Sequence, residues 1–98
     1  MATETSQTIR EWGDATFGAP TDLTVLVQRA RAEMDELEQA LREGDHAEAG
    51  SEAADVVILL HRLAALLGQD LCEQVDAKMV INRARTWKSR GDGTGGHI

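Results

Sequence analysis

Apolar residues in this chain recur at steps of three and four, and strict alternation never persists long enough to suggest a strand. The pattern is that of packed helices. Between Thr21 or Asp22 and Gly44, one stripe is formed by Leu23, Val27, Ala30, Met34, Leu37 and Leu41. Between Asp45 and Gly68 a second is formed by Ala53, Val56, Leu60, Leu63 and Leu67. Both read as seams for near-parallel or antiparallel packing, and the short connection at Gly44 makes them an antiparallel hairpin. Asp45 with Glu48, and Asp70 with Glu73, have the spacing of helix starts, the first as a capping box. A short first helix is expected from Ser6 to about Ala15, followed by the loop Thr16-Phe17-Gly18-Ala19-Pro20. A fourth helix should run from the Asp70 cap to about Ser89. The expected fold is all-α, a helical hairpin with flanking helices.

Two helices exceed a one-faced pattern. The third also carries Val57, Ile58, Leu59 and Leu66 off its seam, and a helix apolar on several faces needs cover on several sides. A chain of 98 residues buries only roughly 60–65% of its unfolded surface, so cover from a second copy is expected. The expected assembly is a homodimer, or a tetramer of paired dimers, of four-helix-bundle type. In the fourth helix Leu71 and Val75 begin a stripe that continues as Lys78, Asn82 and Arg85. A polar line extending a core stripe calls for a ligand or a partner charge. A second stripe of Ala77, Val80, Ala84 and Trp87 is expected to anchor that helix. The stretch Gly91-Asp92-Gly93-Thr94-Gly95-Gly96-His97-Ile98 has too little side chain to order itself. Residues 1–90 are thus expected to form the domain and residues 91–98 a flexible tail, in preference to a segment that closes over a ligand.

Charge and composition remove some functions. A net charge of −7 argues against a nucleic-acid backbone or an anionic membrane as the main partner. Bound cations would still let a nucleotide bind. Cys72 is the only cysteine, so an internal disulfide is excluded and a reduced thiol is expected. Met1-Ala2-Thr3-Glu4 lacks the basic and apolar regions of a signal peptide, and no apolar run nears the ~20 residues of a membrane span. A cytoplasmic protein is expected.

The chemistry is expected at two acidic pairs, Glu33-x-x-Glu36 and Glu52-x-x-Asp55. Residues three apart share a helix face. Each pair flanks its seam, and the second runs directly into Val56-Val57-Ile58-Leu59-Leu60, so antiparallel packing can bring all four carboxylates together. Left alone they would repel one another and resist ionisation. Magnesium, or manganese in its place, takes oxygen ligands and would neutralise them while leaving positions for water and phosphate oxygen. Glu38, Glu43 and Glu48 read as solvated surface. A di-iron carboxylate bundle would need Glu-x-x-His inside a helix, and Glu43 to His46 crosses the Gly44-Asp45 break. A dimerising helical module without catalysis accounts for the seams but not for acids beside a core.

Together, Glu33-x-x-Glu36, Glu52-Ala53-Ala54-Asp55-Val56 and Lys78-Met79-Val80-Ile81-Asn82-Arg83-Ala84-Arg85-x-Trp87 resemble the all-α nucleoside triphosphate pyrophosphohydrolases of the MazG type. Ala32 stands where that family's pattern has another glutamate, leaving four acidic ligands. Trp12-Gly13-Asp14-Ala15-Thr16-Phe17-Gly18 is similar to a small branch, found partly in phages, associated with dATP and dGTP hydrolysis. The resemblance spans about residues 9–88. It implies cleavage of a purine deoxynucleoside triphosphate between its α and β phosphates, in the cytoplasm of a bacterium or a phage-infected host. It further implies magnesium on Glu33, Glu36, Glu52 and Asp55, with Glu33 or Glu36 orienting or deprotonating the water. Lys78 and Arg85 would meet phosphate oxygens, and Asn82 a phosphate or the sugar. Phe17 would line the base pocket or plug the core. Phosphoribosyl-ATP pyrophosphohydrolase, with the same metal logic, is the alternative in the same superfamily. Trp12 and Trp87 are expected as packing anchors, His46 as a surface residue and His61 on a helix face near the interface.

Overall fold

The computed structural model describes residues 3–98, so Met1 and Ala2 of the segment judged not to be a signal peptide lie outside it. Four helices, α1 (Ser6–Phe17), α2 (Thr24–Arg42), α3 (His46–Leu66) and α4 (Leu71–Ala84), precede two short strands, β1 (Trp87–Ser89) and β2 (Gly95–His97). The helical expectation holds, with a small ribbon added.

The helix ends follow from local chemistry. Asp45 accepts from Glu48 N at 3.1 Å, and Asp70 from Glu73 N at 3.1 Å, as the spacing implied. Thr5 and Thr8 cap α1 reciprocally, each side chain accepting from the other's backbone N–H. Gly44 (φ 71°) and Gly68 (φ 76°) take the left-handed turns that stop α2 and α3. Just beyond them, Asp45 N donates to Ala40 O and Gln69 N to Ala64 O, which satisfies carbonyls the helix leaves open.

α3 is the central element, packed on α2 and α1 and only lightly on α4. The three-residue connection from α2 returns the chain antiparallel. Many of the most buried positions are small, including Ala30, Ala40, Ala49, Ala64 and Ala65, which lets helix backbones approach closely. On α2 the covered face runs Leu23, Leu26, Ala30, Glu33, Leu37, Ala40, whereas Met34 and Leu41 are exposed. The expected stripe is therefore rotated. Both sets share Leu23, Ala30 and Leu37, Val27 of the expected stripe is half-buried as well, and three–four spacing alone does not choose between them. On α3 the covered face runs through Ala49, Glu52, Ala53, Val56, Leu60 and Leu63, with Leu67 exposed.

α1 is tied to α3 at three levels. The Ser6 hydroxyl, 1% exposed, lies 2.7 Å from His61 Nδ1 and accepts from Leu71 N at 2.8 Å. Arg10 Nη1 donates to Ala65 O at 3.2 Å. Arg62 donates to Asp14 and to Gly18 O.

α4 departs most from expectation. It has no buried residue; Val75 is 51% and Val80 69% exposed, and Ala77, Ala84 and Trp87 are also exposed. The second stripe therefore does not anchor α4 within a single chain. The helix also ends at Ala84 rather than near Ser89. Arg85 is extended, and the Trp87 indole N–H donates to Asn82 O at 2.7 Å. Gly91 and Gly93 (φ 87° and 92°) then turn the chain back, and β1 pairs antiparallel with β2, Trp87 opposite His97. The segment expected to be a flexible tail thus supplies the returning strand. No described helix is long and apolar enough to cross a membrane.

Candidate functional site

Glu33 and Glu52 lie on the covered faces of α2 and α3 themselves, not at their edges. A carboxylate on a packing seam is unfavourable unless it keeps a proton or meets a positive charge. Glu33, Glu36 and Glu52 each offer an oxygen within 4.8 Å of the others'. Glu52 Oε2 is shielded from solvent with no hydrogen-bond partner. The neighbouring carboxyl of Glu48, then Glu33, then loss of water, then Glu36 push the Glu52 carboxyl up to about 8. Such a group keeps its proton at neutral pH until a cation displaces it. Three convergent carboxylates with an orphaned oxygen fit a hard divalent ion.

Glu33 has one other partner, Arg29 Nη2, 3.2 Å from Oε1. Arg29 is largely exposed, so this tie is weak. Asp55 is not part of the trio. It is exposed and lines an adjoining cleft with Glu33. Of the four predicted carboxylates, three converge and the fourth stands beside them. Glu48, read as plain surface, is the first neighbour acting on Glu52; its four-residue spacing on one helix face was the available signal.

The cleft has a volume of about 640 Å³. α1 and its following loop contribute Trp12, Phe17, Gly18 and Pro20, α2 contributes Val25, Arg29 and Glu33, and α3 contributes Asp55, Ile58 and Arg62. Trp12 and Phe17 meet edge to face with centroids 5.6 Å apart. Phe17 is 70% and Trp12 57% exposed. Phe17 therefore forms an open aromatic wall rather than a plug, and Trp12 is not the interior anchor expected of it. Arg62 Nη2 donates to Gly18 O at 2.6 Å and to Asp14 Oδ1 at 3.3 Å, and its guanidinium carbon lies 5.9 Å from the Phe17 centroid. Sequence reasoning passed over both Arg62 and Asp14. The available signal was a single cation inside the apolar run of α3.

Lys78, Asn82 and Arg85 do not line this cleft. Lys78 and Arg85 are exposed. Asn82 is half-buried, its Nδ2 3.9 Å from Met79 Sδ and its Oδ1 shielded without a partner. His46 is on the surface as expected, and His61 is held by Ser6.

Fold and site together describe a helical protein with a carboxylate centre beside an aromatic-walled cleft. The chain is 48% identical over 54 residues to a protein of Cyanophage S-2L, covering 55% of this chain and 51% of that one. It is 38% identical over 90 residues to a protein of Salmonella phage PMBT28, covering 92% of this chain and 29% of that one. Both are named dATP/dGTP diphosphohydrolase. The resemblance to a dATP- and dGTP-associated branch is thus met by proteins of that name, of whose lengths the chain spans about half and under a third. No family model matches, the MazG type included, and no solved structure shows significant similarity.

Proposed function

We propose that this chain is a divalent-cation-dependent diphosphohydrolase of purine deoxynucleoside triphosphates, releasing the monophosphate and pyrophosphate. The supporting observation is the convergence of Glu33, Glu36 and Glu52 within 4.8 Å beside the aromatic-walled cleft. The names of the two phage relatives point the same way.

Glu33, Glu36 and Glu52 would hold magnesium or manganese, with Asp55 reaching in from the cleft. Once bound, the ion supplies positive charge to the phosphate oxygens and to the oxygen of the attacking water. In the reaction a water oxygen bonds to the α-phosphorus, the bond to the α–β bridging oxygen breaks, and pyrophosphate leaves. Glu33 or Glu36 takes the proton from that water. The exposed faces of Phe17 and Trp12 offer a planar base a stacking surface. The cleft falls within the roughly 300–1,000 Å³ usual for small-molecule sites.

For Lys78, Asn82 and Arg85 to hold phosphate or sugar, α4 must come to the cleft from a second copy. The bare apolar surface of α4, and Val57 and Ile58 on α3, support a homodimer or a tetramer of paired dimers. The site of action is the cytoplasm, where nucleotide and magnesium coexist.

The test is to incubate the protein with each deoxynucleoside triphosphate and magnesium in ¹⁸O-water and resolve the products by ion exchange and phosphorus NMR. dATP and dGTP should give labelled monophosphate and unlabelled pyrophosphate. Glu33→Ala and Asp55→Ala should lower turnover on the order of 100-fold with helical circular dichroism retained. Orthophosphate as the product, or full activity in both variants, would refute the assignment.

A further inference from the structure

The Arg62 side chain is not used by the chemistry above, yet the fold goes to some length to accommodate it. It is 8% exposed, and its Nε is shielded from solvent without a partner. A buried guanidinium is unfavourable unless its donors are engaged. Its Nη2 serves two acceptors on α1 and the following loop, Asp14 Oδ1 and Gly18 O. To reach them it crosses α1 at Gly13, where a Cβ would lie 2.5 Å from Arg62 Nε and 2.8 Å from Cδ. Any larger residue at position 13 must push the guanidinium aside. Beyond the crossing, Gly18 adopts φ 83°, which favours glycine, and Phe17 sits beside the cation with its ring largely uncovered.

We propose that Arg62 is a positioning residue: passing over Gly13, it fixes Phe17 and the Gly18–Pro20 segment as the wall against which the substrate's base packs. This rests on the nucleotide-hydrolase reading given above. Arg62 acts through Phe17 and the Gly18 carbonyl, so it governs recognition of the base and leaves the chemistry at phosphorus alone. Losing it lets the loop wander, and the base loses a preformed surface.

The experiment uses Arg62→Lys, Arg62→Gln and Gly13→Ala in a Trp87→Phe background, where Trp12 is the sole tryptophan. Gly13→Ala displaces the guanidinium without deleting it, and circular dichroism establishes that each variant is folded. Three quantities are read: kcat and KM for dATP and dGTP, dGMP binding from Trp12 fluorescence, and inhibition by tripolyphosphate, which has no base. Arg62→Gln and Gly13→Ala should raise KM and the dGMP dissociation constant about tenfold, with kcat held within about threefold. Arg62→Lys should fall between them and the parent, and tripolyphosphate inhibition should be unchanged in all. Equal weakening of tripolyphosphate and dGMP, or unchanged dGMP binding in the folded variants, would overturn the proposal. If the parent binds dGMP but hydrolyses no triphosphate, the enzymatic reading falls and the binding ratios alone decide Arg62's role. If the parent binds neither dGMP nor triphosphate, both fall.

Discussion

At Glu52 the folded and unfolded chains differ by a proton. In the folded protein, crowding by Glu48 and Glu33 and loss of water raise the carboxyl from its ordinary 4.5 to about 8. Between those values the folded state holds a proton that unfolding releases, so stability falls as pH rises through that window and is fully retained only below it. The metal-free protein should therefore melt at progressively lower temperature from about pH 5 to about pH 9, and Glu52→Gln should flatten that slope. Calorimetry in the presence of a chelator measures both, and identical profiles would contradict the assignment. Added magnesium should restore stability most at the alkaline end, because it replaces the proton. The acidic pairs were legible in the sequence because three-residue spacing on a helix is a local geometric fact. The ties from Arg62 to Asp14 and Gly18 were not, because they join residues 48 and 44 positions apart and leave no periodic trace.

At the scale of elements, the sequence located the helices better than their faces. Asp45, Asp70, Gly44 and Gly68 act at the helix ends where their chemistry said they would. The inner face of α2 was misjudged because Met34 and Leu41 suit an apolar stripe better than Glu33 does, yet Glu33 and Ala40 take the covered positions. The decision was made by packing against α3, which no local window contains. The end of α4 was missed for a related reason. Helix-forming composition continues past Ala84, while the contacts that stop it, Trp87 to Asn82 O and β1 to β2, depend on residues further along. One helical glycine makes a prediction at this scale. Gly50 lies within α3 with open space where a Cβ would sit. Gly50→Ala should stabilise the protein by about 0.5–1 kcal/mol, visible as a melting midpoint several degrees higher. A lower midpoint would mean that the space is occupied in solution.

The molecule as a whole leaves much apolar surface bare. Of the off-seam residues on α3 that led to the expectation of a second copy, Val57 and Ile58 are exposed while Leu59 and Leu66 are half-buried, and α4 adds Val75, Val80 and Ile81 to the bare surface. Sedimentation equilibrium should give at least twice the chain mass, and Val80→Glu should shift the population toward single chains by placing a charge in the covered surface. A single-chain mass for the parent protein at micromolar concentration would remove the second copy from the account. Nothing in one chain's hydrophobic periodicity says which bare face meets which, so the geometry of assembly was the least legible part.

His61 and Arg62, consecutive on α3, clasp opposite ends of α1, one at Ser6 and the other at Asp14 and Gly18. Polar ties thus pin those two rods together at both ends. Among the described residues no side-chain hydrogen bond or ion pair joins α2 to α3, so the separation of Glu33 from Glu52 rests on apolar packing, and a cation between them would be a polar bolt across that seam.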